Sequence, residues 1–221
     1  MRNPGLSDHY HGDRGVEYAR YQLDLSAGMG LVKARPFRAF IRYSDTVLDF
    51  GCGGGDILLA LKCGDRFGVE PSEAARAMAI SNGIESVPIL ADIPDARVDV
   101  VITHHALEHC TRPLDELREM RRVLKPEGRL IVLVPLDDWR TQRTYNSTDI
   151  NHHLYAWTPQ LLGNLLADAG FHVERLDILT HAWPPFVRTW ARLPEWAFDA
   201  VCFSWSFLRR RRQMLTVCHP L

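Results

Sequence analysis

The stretch Val47-Leu48-Asp49-Phe50-Gly51-Cys52-Gly53-Gly54-Gly55-Asp56 decides how the rest of the chain reads. Three of its first four residues are apolar and read as a short buried strand. Four glycines in the next five positions form a loop, and Ile57-Leu58-Leu59-Ala60-Leu61 continues as helix. A strand, a glycine loop and a helix start together make a nucleotide site. Glycine lets a ligand approach the backbone, and the helix start carries N–H groups with no partner inside the helix.

The segment before this strand reads as two helices. One covers residues 13–27 with Val16, Tyr18, Ala19, Leu23 and Leu25, and ends near Gly28. The other runs from about Leu31 to Arg42, disturbed by Pro36. Both are placed to cover the glycine loop, and the polar residues 1–12 read as a mobile arm. Beyond the loop, Arg66–Glu70 is a second strand that ends in an acid. Pro71-Ser72 starts a helix closed by Asn82-Gly83. Val87–Leu90 reads as a third strand and Val98–Thr103 as a fourth. A helix opens at Pro113 and carries Leu114, Leu117, Met120 and Leu124, and Arg129–Val134 is a fifth strand. Thr158 caps a further helix with Pro159 at its first position, Gly170 stops it, and Phe171–Leu179 and Gln213–Cys218 are the last two strands. Strands alternating with helices predict a parallel sheet covered on both faces.

Bulk properties narrow the class. The chain has 221 residues, 46% hydrophobic and 24% charged, which suits a single globular domain. Its formal net charge of −1 argues against a global field for nucleic acid. The five cysteines (Cys52, Cys63, Cys110, Cys202, Cys218) obey no paired spacing and read as reduced thiols of a cytoplasmic protein. No run approaches the roughly 20 apolar residues of a membrane span.

The choice of nucleotide rests on the residues beyond the loop. A dinucleotide site wants G-x-G-x-x-G and an acid about 20 residues on. Here the glycines run Gly51-x-Gly53-x-Gly55, with Asp49 two residues before them and Glu70 at the expected distance. A second acid, Asp92, comes after the next strand, and Glu108-His109 with Leu124-Lys125-Pro126-Glu127-Gly128 frame the helix before the fifth strand. In these blocks, over roughly residues 45–180, the sequence resembles the class I S-adenosylmethionine-dependent methyltransferases, most closely the small-molecule branch known as types 11 and 12. The resemblance implies a Rossmann-like, doubly wound α/β fold with a seven-stranded sheet whose last strand is antiparallel, inserted between strands five and six. It also implies one domain: a helical cap over 1–44, a core over 45–182, a helical insert over 183–212 and the last strand over 213–218.

By the same resemblance the cofactor is S-adenosyl-L-methionine. It is held by Asp49, Gly51, Cys52, Gly53, Gly55, Glu70, Pro71, Asp92, Ile93 and His104. Glu70 would accept from the ribose hydroxyls, Asp92 would accept from the adenine amino group, and Asp49 would add negative charge near the ammonium. Each acid also has a plainer reading: Asp49 as a loop cap, Glu70 as a solvated strand end, Asp92 as a turn residue. The activity implied is methyl transfer to a small-molecule acceptor, expected at oxygen. The alternative is a non-catalytic module that binds S-adenosylmethionine. Nucleic-acid methylation is disfavoured, because His104 and His105 stand at the end of the fourth strand instead of an Asn/Asp-Pro-Pro-aromatic tetrapeptide.

A hydroxyl acceptor calls for a general base, and the candidates are His105, His109 and His152. Four histidines with Glu108 also raise the question of a metal, but no pair has a diagnostic helical spacing, and none is expected. Tyr10, His11, Tyr18, Arg20 and Tyr21 of the N-terminal region could meet the cofactor carboxylate or pack as an ordinary helix surface. The insert carries four of the six tryptophans and six arginines against two acids. It reads as a helix packed on the sheet, as a lid or dimer surface, or as a peripheral membrane contact.

Overall fold

The computed structural model describes residues 12–26, 28–136 and 144–221. The expected arm, with Tyr10 and His11, and the first part of the 137–157 segment lie outside the described residues. The chain runs through α1 (Gly12–Ser26), α2 (Gly30–Lys33), α3 (Arg35–Arg38), β1 (Val47–Phe50), α4 (Asp56–Ala60), β2 (Arg66–Val69), α5 (Glu73–Ser81), β3 (Glu85–Val87) and β4 (Val98–His104). It continues with α6 (Pro113–Val123), β5 (Leu124–Pro135), α7 (Pro159–Asp168), β6 (Phe171–Leu179), α8 (Val187–Trp190), α9 (Glu195–Arg209) and β7 (Gln213–Pro220).

The seven strands form one sheet in the order β3-β2-β1-β4-β5-β7-β6. β1 through β5 pair in parallel, while β7 runs antiparallel to both β5 and β6. The strand order reverses between β1 and β4, so a crevice opens at their carboxyl ends, where ligands of such sheets sit. Period-two alternation covers both faces. Leu48, Val101, Leu130 and Val132 face one cluster with Leu117, Met120, Leu162 and Leu166 of α6 and α7. Val47, Val100, Ile102, Ile131 and Leu133 face the other, with Phe37, Ile57 and Leu58 of the cap and α4.

Three local expectations shift. The expected helix over 31–42 is two single turns, because Pro36 cannot donate to a continuous ladder and instead sits in the first turn of α3. The third strand is Glu85–Val87, paired with Phe67–Val69. Pro88 lacks the N–H needed to extend it, and Leu90–Asp92 coils into a 3₁₀ turn. β5 begins at Leu124, which pairs with Val98 ahead of an irregularity in the register; Lys125 bonds Asp99 at 2.8 Å there. The α7 cap is as expected: the Thr158 side chain accepts from the Leu161 N–H at 3.2 Å.

The helical insert is rooted on the N-terminal cap. Phe198 and Cys202 of α9 and Val187 of α8 bury themselves with Met29 and Val32. Arg35 reaches across to Asp199 at 2.9 Å and Glu195 at 3.1 Å, and its guanidinium lies 5.2 Å from the centre of the Phe198 ring. All five cysteines are buried and unpaired. Among the described residues, no helix is long and apolar enough to cross a membrane.

Candidate active site

One cleft of about 1270 Å³ crosses the carboxyl edge of the sheet, from the glycine loop to the segment before α7 and the start of β7. Gly51, Cys52, Gly53, Glu70 and Pro71 line one end. His104, His105, His109, His152 and His153 line the middle and the other end.

At the glycine end the backbone explains the residue choice. Gly51 has φ +80°, and a Cβ there would meet the Ala106 methyl at 2.7 Å. Gly53 has φ +54°, and nothing lies within 4 Å of the place a Cβ would take, so its backbone faces open space in the cleft. Glu70 turns its carboxylate onto this loop, accepting from the Gly53 N–H at 2.9 Å and the Ser72 N–H at 2.8 Å. Burial nonetheless raises its pKa above the ordinary range. Asp49 is 1% exposed, and neither carboxylate oxygen has a hydrogen-bond partner. Burial pushes its pKa up to about 7, with Lys33 pulling the other way. Burial of Cys52 (7% exposed) raises its thiol pKa, so it stays protonated. Asp92 is exposed on its 3₁₀ turn. Its predecessors Ile89 and Leu90 line the cleft, and Ile93 is buried.

The histidines meet because β4 ends where two other segments arrive. His104 closes β4, and its ring stacks on that of His105 at 4.7 Å. Burial holds the His104 imidazole neutral, well below its usual pKa. His105 has a left-handed φ of +52°, which swings its ring toward β7. Its Nε2 lies 3.0 Å from Gln213 Oε1, and the Gln213 amide nitrogen donates to the His181 carbonyl at 3.0 Å. That second bond sets the amide orientation, so Gln213 accepts and His105 carries its proton on Nε2. Nδ1 then faces Glu108, 3.7 Å from its Oε1. Burial lowers the His105 pKa to about 4 and that of His109 to about 3. His109 Nε2 lies 3.5 Å from the Tyr18 hydroxyl, and its ring packs edge-on against His153 at 4.9 Å. His152 sits at φ +49°, its N–H donating to Asp149 at 3.0 Å.

Two contributors, Gln213 and Lys33, escaped the sequence reading. Gln213, which orients His105, signals itself only as a polar residue opening an apolar strand. Lys33 acts on Asp49 from α2, and no local pattern marks it. Glu108 is fully buried, and burial pushes its pKa up to about 8. Of the N-terminal candidates, Tyr18 lines the cleft and Tyr21 lies at its rim, 37% exposed, while Arg20 is exposed.

Comparison with known proteins identifies the class. The chain belongs to the family described as methyltransferase domain, whose model matches residues 21–176. Its cofactor is S-adenosyl-L-methionine, and the domain is an S-adenosylmethionine-dependent methyltransferase of class I. A ubiquinone biosynthesis O-methyltransferase from Serratia proteamaculans is 27% identical over 158 residues, 66% of this chain and 57% of that protein. The chain thus spans little more than half the length of that relative. A solved S-adenosylmethionine-dependent methyltransferase from Thermotoga maritima superposes with a TM-score of 0.64 at 17% identity, covering 94% of this chain and 96% of the other. A geranyl diphosphate C-methyltransferase from Streptomyces coelicolor, solved with S-adenosyl-L-homocysteine, gives 0.59 at 18% identity over 98% and 85%. At these identities the two structures bear on the fold, which they share.

Proposed function

We propose that the protein transfers the methyl group of S-adenosylmethionine to a hydroxyl oxygen of a small-molecule acceptor bound against the histidine wall. The observation that carries this reading is one cleft shared by the glycine loop at one end and six histidines beyond it. The chemistry of the donor end fits the cofactor. A buried carboxylate without partners, as at Asp49, is unfavourable until a cation or donor meets it, and the methionine ammonium is such a group. The open face of Gly53 leaves room for the chain of the ligand, and Glu70 stands where two hydroxyls could displace its present backbone partners. Gly51, Cys52, Gly55, Pro71, Ile93, His104 and Asp92 complete the set proposed for this end.

S-adenosylmethionine supplies an electrophilic methyl whose C–S bond breaks, with the electron pair going to sulfur, as the acceptor oxygen forms the new C–O bond. The protein's work is to orient that oxygen in line, exclude water and receive the hydroxyl proton. His105, His109 and His152 are the candidates to orient the acceptor and relay the proton. Oxygen as the target is supported by the name of the Serratia relative and by imidazole nitrogens able to meet a hydroxyl. The test is incubation with methyl-labelled cofactor and a panel of phenols, sugars and polyprenyl-linked alcohols, with the product read by NMR. A methoxy signal is expected. Label on nitrogen or carbon would overturn the oxygen assignment, and tight cofactor binding without turnover on any acceptor would favour a binding module.

We also infer that the outer face of α8 and α9 docks on an anionic membrane surface. Phe186 (85% exposed), Trp196 (76%), Phe207 (68%) and Leu208 (70%) stand in the open, and the exposed Arg209–Arg212 run comes directly after them. Aromatic side chains beside arginines suit the headgroup level of an anionic bilayer. His181 before the insert, and Trp183 and Arg211 near its two ends, line the cleft, so a surface-bound acceptor would enter beside this face. Co-sedimentation with phosphatidylglycerol-containing vesicles, but not with neutral ones, is expected, and Phe203→Glu/Phe207→Glu should abolish it. No vesicle binding, with a concentration-dependent dimer in light scattering, would instead assign this face to a second copy.

A further inference from the structure

Beside the cofactor end, the cleft wall holds an arrangement that methyl transfer does not by itself require. Glu108 and His109 sit on the 3₁₀ turn Leu107–His109, just after β4. His153 arrives from 44 residues further along the chain. The backbone ties the two segments together: the Leu154 N–H donates to the Glu108 carbonyl at 2.8 Å and the Tyr155 N–H to the same oxygen at 3.4 Å. The Tyr155 hydroxyl adds a bond to the Thr111 carbonyl at 3.1 Å. These bonds set His153 against the turn whatever its side chain does. As a result the ligand-capable atoms of Glu108, His109 and His153 all lie within 4.8 Å of one another.

A second observation is independent of that clustering. Glu108 is 0% exposed, and no hydrogen bond of good geometry reaches its carboxylate oxygens, although the Trp157 side chain and a backbone N–H favour its charged form. Native proteins rarely leave a buried carboxylate so, and a cation is one of the few groups that relieves it. We propose that Glu108, His109 and His153 form a binding site for a divalent transition-metal ion in the wall of the cleft.

The donor set selects the ion. Two imidazole nitrogens and one carboxylate suit zinc, or manganese, iron or cobalt in the divalent state; magnesium and calcium want all-oxygen shells. Three protein ligands leave coordination positions open toward the cleft, as in catalytic sites. Zinc bonds of about 2.0–2.2 Å place tetrahedral ligands roughly 3.4 Å apart, so the three groups must close by up to about 1.4 Å from their 4.8 Å limit. His153 is exposed and can make that movement by rotating its side chain. The Tyr18 hydroxyl lies 3.5 Å from His109 Nε2, beside the proposed ligands.

The consequence for catalysis rests on the proposed oxygen methylation. An acceptor hydroxyl bound to the ion would be acidified, so a weakly basic wall could still deliver an alkoxide or phenolate. Binding of the ion itself does not rest on that reading.

The experiment titrates zinc, and cobalt as a coloured substitute, into the metal-stripped 221-residue chain without cofactor or acceptor. One equivalent of zinc should bind and raise the melting temperature, and cobalt should show visible d–d absorption. Glu108→Gln and His153→Ala should each weaken zinc binding by at least about tenfold and remove the thermal shift. Both should fold, since one keeps the shape of a buried group and the other truncates an exposed side chain. His219→Ala, at the surface pair His219–Glu174 (2.9 Å apart), should bind zinc like the parent. The proposal is overturned if no stoichiometric zinc binds, or if Glu108→Gln and His153→Ala bind as tightly as the parent. A protein that binds zinc in this pattern but methylates no hydroxyl would retain the metal site and refute the oxygen reading alone.

Discussion

The two ends of the cleft are built by different means. The glycine end comes from one continuous stretch, Val47–Asp56, plus one acid at the tip of the neighbouring strand. The histidine end comes from β4, the loop before α7, the start of β7 and the N-terminal α1, brought together only by folding. The first is a local device, so its residue types and spacing can be read from one stretch of sequence. The second is an assembly of side chains from distant segments, and its chemistry changes whenever any one of them changes.

Filling the glycine end should have the largest effect. Gly53→Val adds a side chain where the cleft is open, at a φ that strains any L residue, and cofactor affinity should fall by about 100-fold or more (~2.7 kcal/mol) in calorimetry. At the other end, His105→Ala removes a ring held by Gln213. It is expected to lower kcat on the identified acceptor by about 10²-fold, with cofactor affinity unchanged. A matching loss of cofactor affinity in His105→Ala would join the two ends into one.

A smaller effect concerns stability. The Asp49 pKa of about 7 lies above that of the unfolded chain, near 3.9. The native ligand-free protein therefore holds a proton that the unfolded chain has shed. Its contribution to stability is fully present below about pH 4 and is lost as pH rises through 7. Asp49→Asn should flatten the decline in melting temperature between about pH 4 and pH 7 while weakening cofactor binding, a comparison made by thermal denaturation with and without ligand. The smallest effect is expected at the root of the insert. Arg35→Ala loses two partly exposed ion pairs and should cost about 0.5–1 kcal/mol in denaturant unfolding.

The sequence was most readable where structure is local. The strand-loop-helix unit at 47–61, the cap at Thr158 and the stripe of Leu117 and Met120 on α6 follow from periodicity and turn chemistry alone. The seven-strand order with its antiparallel last strand came from the family resemblance, because no residue in Gln213–Pro220 announces which neighbours it will pair with. The third strand shifted because Pro88 removes a donor from the ladder. The least readable feature was Glu108-His109 with His153. Their spacing in sequence carries no helical signature, and only the backbone bonds from Leu154 and Tyr155 bring them together. Gln213 and Lys33 were hidden for the same reason.

Whether the cleft truly divides into a donor end and an acceptor end is decided by calorimetric titration of S-adenosylmethionine into Glu70→Ala and His109→Ala. Glu70→Ala removes a charged hydrogen-bonding group from the donor end and should lose at least about tenfold in affinity, while His109→Ala should stay within about threefold of the parent. Wild-type affinity in Glu70→Ala, or an equal loss in both variants, would contradict the division.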